Sequence, residues 1–220
     1  MQKESQIIQN TGRSGSEIPI FKSIFGDSWF QLPPVIKKHY AIRPYSNDSI
    51  TVEGKLNVRI SSFVGIASKL TGMLVPFSGD DVSVTVVLHS APNSGSFFFD
   101  RKFVYPEHGT LFFRSRMEKI GGNELIEFMR FGIGWKLAYS WDGEKVILEH
   151  RGYVWRFLDW QIPIPLSWIM GRGHAEEIPR NENQFDMWTH ANHFLFGETF
   201  AYNGSFTIVK SEGCCLSCDP

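Results

Sequence analysis

Apolar and polar residues alternate along most of the chain after residue 48. In SITVEGKLNVRI, residues 49–60, every second position from Val52 to Ile60 is apolar or glycine, which is the period of a β-strand. Related patterns occur in VSVTVVLHS, SFFFDRKFVY, TLFFRSRMEKI, ELIEFMRFGI, WKLAYSW, KVILEHRGYVWRF, QFDMWTH and ETFAYNGSFTI. The segments between them, PNSG, PEHG, GGN, the DG of WDGE, and YNG, have residues typical of tight turns.

Two stretches have a helical pattern instead. In WFQLPPVIKKHY, Pro33 and Pro34 suit a first helical turn. In residues 61–74 the apolar period changes to that of a helix, with Ser61 or Ser62 as its cap. Its apolar stripe would comprise Phe63, Ile66, Ala67, Leu70 and Met73 or Leu74. The pattern predicts a mainly β fold, an antiparallel meander forming a barrel or a strongly curled sheet around this one internal helix.

The length of 220 residues suits one domain. Residues 1–20 are polar and predict a flexible leader, residues 21–210 a single β-rich domain, and residues 211–220 a Cys-containing tail. All three cysteines, Cys214, Cys215 and Cys218, lie in that tail. The body therefore has no disulfide framework, which indicates a reducing, cytoplasmic environment. Metal binding or acylation of the tail is a weaker alternative to a solvated, reduced one.

Charge and hydropathy exclude two classes of function. The formal net charge is -1 and 20% of residues are charged, so a globally basic nucleic-acid-binding surface is absent and we expect no nucleic-acid partner. The sequence has no apolar run long enough for a membrane-spanning helix. The first ten residues lack the apolar segment of a secretory signal.

The strand SFFFDRKFVY contains an unusual cation. Alternate residues of a strand share a face, so Arg101 should point the same way as the rings of Phe97, Phe99, Phe103 and Tyr105. An arginine inside an aromatic wall needs an anionic partner, because an isolated interior charge is very costly.

Glu127 is the predicted partner. A five-residue PEHGT connection would place Arg101 opposite Ser115, and a three-residue GGN turn would place Glu127 opposite Met117. The two charges would then lie two strands apart, within reach of long side chains. A two-residue GG turn would instead turn Arg130 inward. Hydrophobic patterning favours the first register.

Three roles remain open for this pair. Arg101 and Glu127 could form an internal ion pair that organises the core without any ligand. Arg101 could anchor the acidic group of an apolar or amphipathic, lipid-like ligand in an aromatic cavity. Glu127 could act as an acid or base on such a ligand. We take ligand binding as the predicted function, and we expect Phe97, Phe99, Phe103 and Tyr105 to contact the ligand together with Arg101 and Glu127. No cofactor motif is present.

Histidines near the C-terminus offer a weak metal candidate. His190 and His193 have HxxH spacing, and Glu198 follows. The surrounding sequence predicts a strand leading into a loop, where this spacing does not converge on one ion. We therefore predict no metal site.

The Trp-rich segment 155–173, WRFLDWQIPIPLSWIMGRG, contains Pro163 and Pro165 and cannot form a regular central strand. The simplest expectation is a long loop packed on the body. Two functional alternatives are a lid over the barrel mouth and an aromatic edge that makes peripheral membrane contact through Trp160 and Trp168.

Several stretches, in order, resemble an uncharacterised bacterial domain family. They are WFQLPPVIKKHY, VEGKLNVRI, KLTGMLVPFSGDDVSVTV, FFFDRKF, LIEFMRFGIGWKLAYSWDG and HANHFLFGETFAYNGSF, and they cover roughly residues 25–208. Members of that family occur alone or C-terminal to saccharopine-dehydrogenase-like reductase modules. The resemblance implies an Arg at position 101, a Glu at 127 and a His near 193, and a reductase as a partner by analogy. Phe99 and Phe194 depart from the usual Trp and Pro of the family, and the resemblance implies no established activity.

Overall fold

The computed structural model describes residues 18–158 and 160–214. Its helices are α1 (Lys22–Phe25), α2 (Pro34–His39), α3 (Ser62–Thr71) and α4 (Ser167–Met170), with 3-10 turns at Gly26–Gln31 and Arg130–Gly132. Its strands are β1 (Ser49–Ile60), β2 (Gly79–Ala91), β3 (Ser94–Tyr105), β4 (Gly109–Gly121), β5 (Glu124–Phe128), β6 (Ile133–Trp141), β7 (Val146–Phe157), β8 (Trp160–Ile164), β9 (Arg172–Pro179), β10 (Gln184–His193) and β11 (Gly197–Glu212). Cys215, Cys218 and residues 1–17 of the predicted leader lie outside the described residues.

Ten strands form a closed antiparallel barrel, which confirms the predicted fold class. Each strand from β1 to β7 pairs with the next, β7 pairs with β9, and β9, β10 and β11 lead back to β1. The remaining strand, β8, pairs only with the second half of β7 and lies outside the ring. The ring leaves almost no free edges, so most backbone groups of the sheet are paired within the chain.

The alternation seen in the sequence accounts for the barrel wall. In β2, Val82, Val84, Val86 and Leu88 are buried and alternate with more exposed residues. Inward-facing side chains of this kind fill the interior, because successive residues of a strand point to opposite faces.

The N-terminal helices close one end of the barrel. Pro34 begins α2, as predicted. Phe21 lies inside, with its ring centroid 4.1 Å from that of Tyr40, 5.0 Å from Phe97 and 5.4 Å from Tyr139. We name this the plugged end. The other end, where β1, β3, β5, β7 and β10 finish, lies next to α3 and α4 and is the open end.

The predicted inward stripe of α3 is wrong for Phe63, Ile66 and Leu70. Phe63, Ile66 and Leu70 of the expected inward stripe are 38%, 61% and 84% exposed, whereas Val64 and Ser68 are buried. The helix turns its smaller residues inward because it lies close to the barrel end. Its start is tied to β11 by a hydrogen bond of 2.9 Å from the Ser61 N–H to the Thr199 carbonyl.

Two predicted connections also differ from the structure. PEHG forms a tighter turn that pairs Tyr105 with Gly109, so Arg101 lies opposite Phe113 rather than Ser115. YNG is not a turn, because β11 runs through it without interruption. Gly204 lies against β1 so closely that a β-carbon there would overlap the carbonyl oxygen of Lys55. This glycine permits close approach of two strands.

Segment 155–173 is not a long loop. Its first residues continue β7, and Trp160–Ile164 form β8, in which Pro163 is accommodated because β8 is an outer strand. ELIEFMRFGI is likewise interrupted: β5 ends at Phe128, and Phe131 adopts a φ of 59° before β6 begins. The single strand predicted for ELIEFMRFGI is therefore divided, and Phe131 and Ile133 do not continue the face of Glu127.

Candidate functional site

A cavity of about 210 Å³ lies at the open end of the barrel. Helices α3 and α4 cover it, and the inner faces of β4, β5, β6, β7, β9 and β11 contribute to its walls. Its lining residues are Val64, Ala67, Ser68, Thr71, Met73, Leu74, Phe113, Glu127, Met129, Trp135, Tyr153, Leu166, Ile169, Met170, Gly173, Phe200 and Tyr202. Among these described residues Glu127 is the only charged side chain, so the cavity is apolar with one carboxylate.

Glu127 and Arg101 form the predicted ion pair across β4. The Nη2 atom of Arg101 donates to Oε1 of Glu127 at 2.8 Å, and both side chains are about nine-tenths buried. Glu127 lies opposite Met117, which confirms that part of the predicted register. Ser115 bridges the pair, because its hydroxyl accepts from Nη1 of Arg101 at 2.9 Å and donates to the same Oε1 at 2.6 Å.

The guanidinium of Arg101 lies between two aromatic rings. Its central carbon is 4.8 Å from the ring centroid of Phe99 and 4.9 Å from that of Phe113, which stabilises the cation further. Burial works against its charge, but the carboxylate of Glu127 outweighs that effect and raises the pKa of Arg101 above its ordinary value. The charge of Arg101 is thus satisfied within the protein.

The second carboxylate oxygen of Glu127, Oε2, has no hydrogen-bond partner among the described residues, and Glu127 is one of the residues that line the cavity. Two phenols share that lining, Tyr153 and Tyr202. Burial raises the pKa of both, so each keeps its proton at neutral pH and can donate a hydrogen bond. The polar part of the lining therefore comprises the carboxylate of Glu127 as an acceptor, these two phenols, and the hydroxyl groups of Ser68 and Thr71.

Only one of the six predicted site residues lines the cavity. Glu127 does, and Arg101 lies directly behind it. Phe97, Phe99, Phe103 and Tyr105 are buried among other core residues. Phe97 packs against Phe21 at the plugged end, and the hydroxyl of Tyr105 donates to the carbonyl of Phe77. The role of the four aromatic side chains as ligand contacts stays a prediction without support from the cavity lining.

Sequence reasoning missed a hydrogen-bonded chain beside the cavity. The indole N–H of Trp135 donates to Nδ1 of His150 at 2.8 Å. His150 then has its proton on Nε2, which lies 3.0 Å from the hydroxyl oxygen of Ser167 in α4. Burial, with Arg172 nearby, lowers the pKa of His150 to about 4, so the ring is neutral. The chain connects the cavity wall to the helix above it.

A second buried acid lies nearer the plugged end. The hydroxyl of Tyr40 donates to Oε2 of Glu177 at 2.6 Å, and Nε2 of His39 is 3.8 Å from Oε1. Burial raises the pKa of Glu177 to about 7 and lowers that of His39 to about 3. Both groups are therefore largely neutral in the folded protein near pH 6. Glu177 lies in HAEEIP, whose charges concealed β9 from the strand pattern.

His193 holds a loop in place. Its Nδ1 accepts from the backbone N–H groups of Leu195 at 3.1 Å and Phe196 at 3.3 Å, and its Nε2–H donates to the carbonyl of Trp168 at 2.7 Å. The rings of Phe194 and Phe196 each stack on it at 4.7 Å between centroids. Both nitrogens are thus committed to protein partners.

No group of three metal-ligating side chains is brought together within residues 18–158 and 160–214. The ring of His190 lies 5.5 Å from that of His174 and does not converge with His193. In the same part of the chain, no helix has the length and apolar character needed to cross a membrane. Cys214 is partly buried beside the core.

The fold and the site define a closed antiparallel β-barrel with an apolar cavity at one end. The chain belongs to a family described as Domain of unknown function (DUF4166), whose model matches residues 32–206. No curated protein matches the sequence. A solved structure with weak similarity is the "Dehydratase domain of the polyketide PpsC from Mycobacterium tuberculosis", at 6% identity over 84% of each chain and a TM-score of 0.18. That score is too low to carry an argument.

Proposed function

We propose that this protein binds an apolar small molecule in the open-end cavity, with the polar end of the ligand beside Glu127. The observation that supports the proposal is the composition of the lining: apolar side chains surround one carboxylate oxygen that has no described protein partner. Ligand sites commonly combine an apolar wall with a few convergent polar groups. A purely structural ion pair would not need an adjoining cavity.

The preferred polar group is a hydrogen-bond donor. Arg101 is already paired with Glu127 and Ser115 and lies between two rings. A ligand carboxylate would meet Oε2 of Glu127 first and be repelled by it. A hydroxyl or an amine would instead donate to that oxygen. The proposal therefore keeps the predicted amphipathic ligand but replaces its acidic group with a donor.

The cavity also limits the size of the ligand. An engineered apolar protein cavity of about 150 Å³ holds benzene, and this cavity measures about 210 Å³. It suits a small ring system with short substituents or one end of a longer chain. A long acyl chain would have to extend past α3 and α4.

Titration calorimetry with 1-octanol, octylamine and octanoate tests the proposal, because the three differ only in the polar end. We expect 1-octanol and octylamine to bind and octanoate to bind at least tenfold more weakly. Trp135 lines the cavity, so its fluorescence supplies a second measurement. Preference for octanoate would restore Arg101 as the anchor. Absence of binding by all three, and by their ring analogues benzyl alcohol, benzylamine and benzoate, would contradict the proposal.

A cavity-filling variant supplies the matched comparison. Ser68 is buried and lines the cavity, so Ser68→Phe should abolish ligand binding. Ile66 points outward on the same helix, so Ile66→Phe should bind as the parent does. Equal loss in both variants would mean that damage to α3, rather than occupation of the cavity, is responsible.

Acid or base catalysis by Glu127 is a second candidate, favoured because Glu127 lines the cavity and its Oε2 has no described partner, while Oε1 is fixed. Fixing one oxygen of a carboxylate orients the other toward a bound proton. Conversion of a bound compound, detected by mass spectrometry and lost in Glu127→Gln with binding retained, would establish catalysis. Binding without conversion would leave the protein as a binder.

A further inference from the structure

Three separate protrusions at the open end carry exposed apolar side chains. On α3, Ile66 and Leu70 point to solvent, and in the turn after β10 Phe194 and Leu195 do so. At the β7–β8 turn, Leu158 and Trp160 are 77% and 73% exposed. We name these three protrusions together the apolar rim. Exposed apolar surface of this extent on a soluble domain indicates an interaction site.

Two of the three protrusions, on α3 and in the turn after β10, are in contact beside the cavity. The ring of Phe63 on α3 lies 5.8 Å from that of Phe196 in the turn, and the ring of Trp168 on α4 lies 6.3 Å from that of Phe194. On the other side, Arg130 contacts the carbonyl of Thr71 at the end of α3. The same helices α3 and α4 line the cavity with their inner sides, so whatever covers the rim also faces the route to the ligand.

Backbone strain maintains part of this exposure. Leu158 has a φ of 55° and the neighbouring Phe131 a φ of 59°. Bulky residues rarely adopt this left-handed conformation, which glycine or asparagine would occupy at lower cost. Here the strain presents a leucine and a phenylalanine to solvent, which gives no benefit to an isolated protein and indicates a function for the side chains.

Cationic groups accompany the rim. Arg172 lines a groove with Trp168 and Phe194 and has no ion-pair or hydrogen-bond partner among the described residues. Lys69 and Arg130 are exposed on α3 and beside it. Two acidic residues accompany the rim in the sequence, Asp159 between Leu158 and Trp160 and Glu198 after the 194–196 turn. Tryptophan beside an unpaired arginine is suited to the headgroup layer of an anionic bilayer.

We propose that the apolar rim docks the protein onto an anionic lipid bilayer, with Leu158, Trp160 and the 194–196 turn inserted below the headgroups. Three tips on different elements can enter a fluid layer together, whereas a protein partner would need a matching surface for each. The first and last described segments lie near the plugged end. Lys119 near the end of β4 donates a hydrogen bond to the hydroxyl of Ser23, and Glu212 at the end of β11 pairs with Ser49. Docking does not depend on the proposed ligand, although it would place the cavity mouth against the lipid.

Co-sedimentation with vesicles of phosphatidylcholine and phosphatidylglycerol tests the docking. We expect the parent protein to bind, and Leu158→Asn with Leu195→Asn to weaken partitioning by about tenfold or more for each leucine. Phe30→Ser, at an exposed apolar residue of the plugged end, should bind as the parent does. Arg172→Gln should reduce the added affinity for phosphatidylglycerol and leave binding to phosphatidylcholine alone unchanged.

Two further measurements separate this proposal from its competitors. Ser68→Phe, which fills the cavity, should still bind vesicles, so failure of ligand binding leaves docking testable. Sedimentation velocity checks self-association through the rim. Vesicle binding that is absent, or that is unchanged in the double asparagine variant, would overturn the proposal. The proposal would also be overturned if the parent protein forms a dimer and does not bind vesicles, and if the double asparagine variant no longer forms that dimer.

Discussion

Arg101 and Glu127 join β3 to β5 across the intervening strand, with 2.8 Å between Nη2 and Oε1. Because both side chains are buried, removal of one leaves an unpaired interior charge. We expect Arg101→Ala to lower the free energy of unfolding by about 3–5 kcal/mol. Chemical denaturation measures the free energy of unfolding. The control is Lys102→Ala, on the outward face of the same strand, which should change the free energy of unfolding by less than about 0.5 kcal/mol.

The double variant Arg101→Met with Glu127→Leu sharpens that test. Replacing a buried ion pair by apolar groups of similar volume is often neutral or stabilising, so the double variant should regain most of the stability lost in Arg101→Ala. It should also lose the proposed preference for alcohols and amines. A double variant as unstable as the single one would show that packing around the guanidinium, rather than its charge, dominates.

The contributions of His39 and Glu177 to the pH dependence of stability should nearly cancel between about 4.5 and 6.5. Glu177 has a folded pKa raised to about 7, so folding is favoured as pH falls from 7 toward 4.5. His39 has a folded pKa lowered to about 3, so folding is disfavoured as pH falls from 6.5 toward 3. The two slopes have opposite signs and largely cancel where they overlap.

Single variants should reveal each slope. In Glu177→Gln, the free energy of unfolding should fall as pH drops below 6.5, and in His39→Leu it should rise as pH drops from 7, each by up to about 1.4 kcal/mol per pH unit. Urea denaturation at a series of pH values measures both. Parallel pH profiles for the two variants would contradict the assignment of neutral side chains.

Gly204 should tolerate no side chain. A β-carbon at this position would overlap the backbone of β1, so Gly204→Ala should cost about 3 kcal/mol through overpacking and strand displacement. Gly121→Ala is the control, because nothing lies within 4 Å of a β-carbon there. Thermal unfolding of the two variants would settle it, and similar melting temperatures would refute the close approach of β1 and β11.

His193 should control the order of the turn that it caps. Loss of its ring removes the acceptor for the N–H groups of Leu195 and Phe196, so His193→Ala should accelerate their amide exchange at least tenfold. Vesicle binding should weaken with it. His190→Ala, on the same strand, should leave both unchanged, because Nδ1 of His190 has no described partner. Unchanged exchange in His193→Ala would show that neither the hydrogen bonds nor the stacking of the His193 ring orders the turn.

The strand alternation was sufficient to predict the barrel wall and one side of the site. Hydrophobic patterning fixed the inward face of β5, and with it the approach of Glu127 to Arg101. That prediction succeeded because a one-residue slip would have turned every side chain of β5 to the other face. The need of Arg101 for an anionic partner does not depend on the strand arrangement, because an isolated buried charge is costly in any fold.

The location of the cavity could not be predicted from the same pattern. The rings of Phe97 and Phe99 looked like a ligand wall, yet residues distant in sequence, such as Phe21, fill the space beside them. Gly204 lies in a turn-like YNG, and only the distance to β1 distinguishes its role. Helix α3 offered a longer apolar stripe than the one it buries. Periodicity alone does not reveal whether an apolar face of a surface helix packs on the barrel or is exposed to an external partner.

The pairing of β7 determines where the barrel can open locally. Four residue pairs join β7 to β9, from Val146–Glu177 to Glu149–His174, before β8 replaces β9 as its neighbour; twelve pairs join β1 to β11. The β7–β9 pair is therefore the shortest contact between neighbouring strands of the ring. We expect these two strands to separate locally at a lower free energy than any other pair of the barrel. Because α4 follows β8 and precedes β9 in the chain, separation of β7 from β9 would widen the space beneath α4. The rates of ligand entry and exit would then be limited by the rate of this local opening.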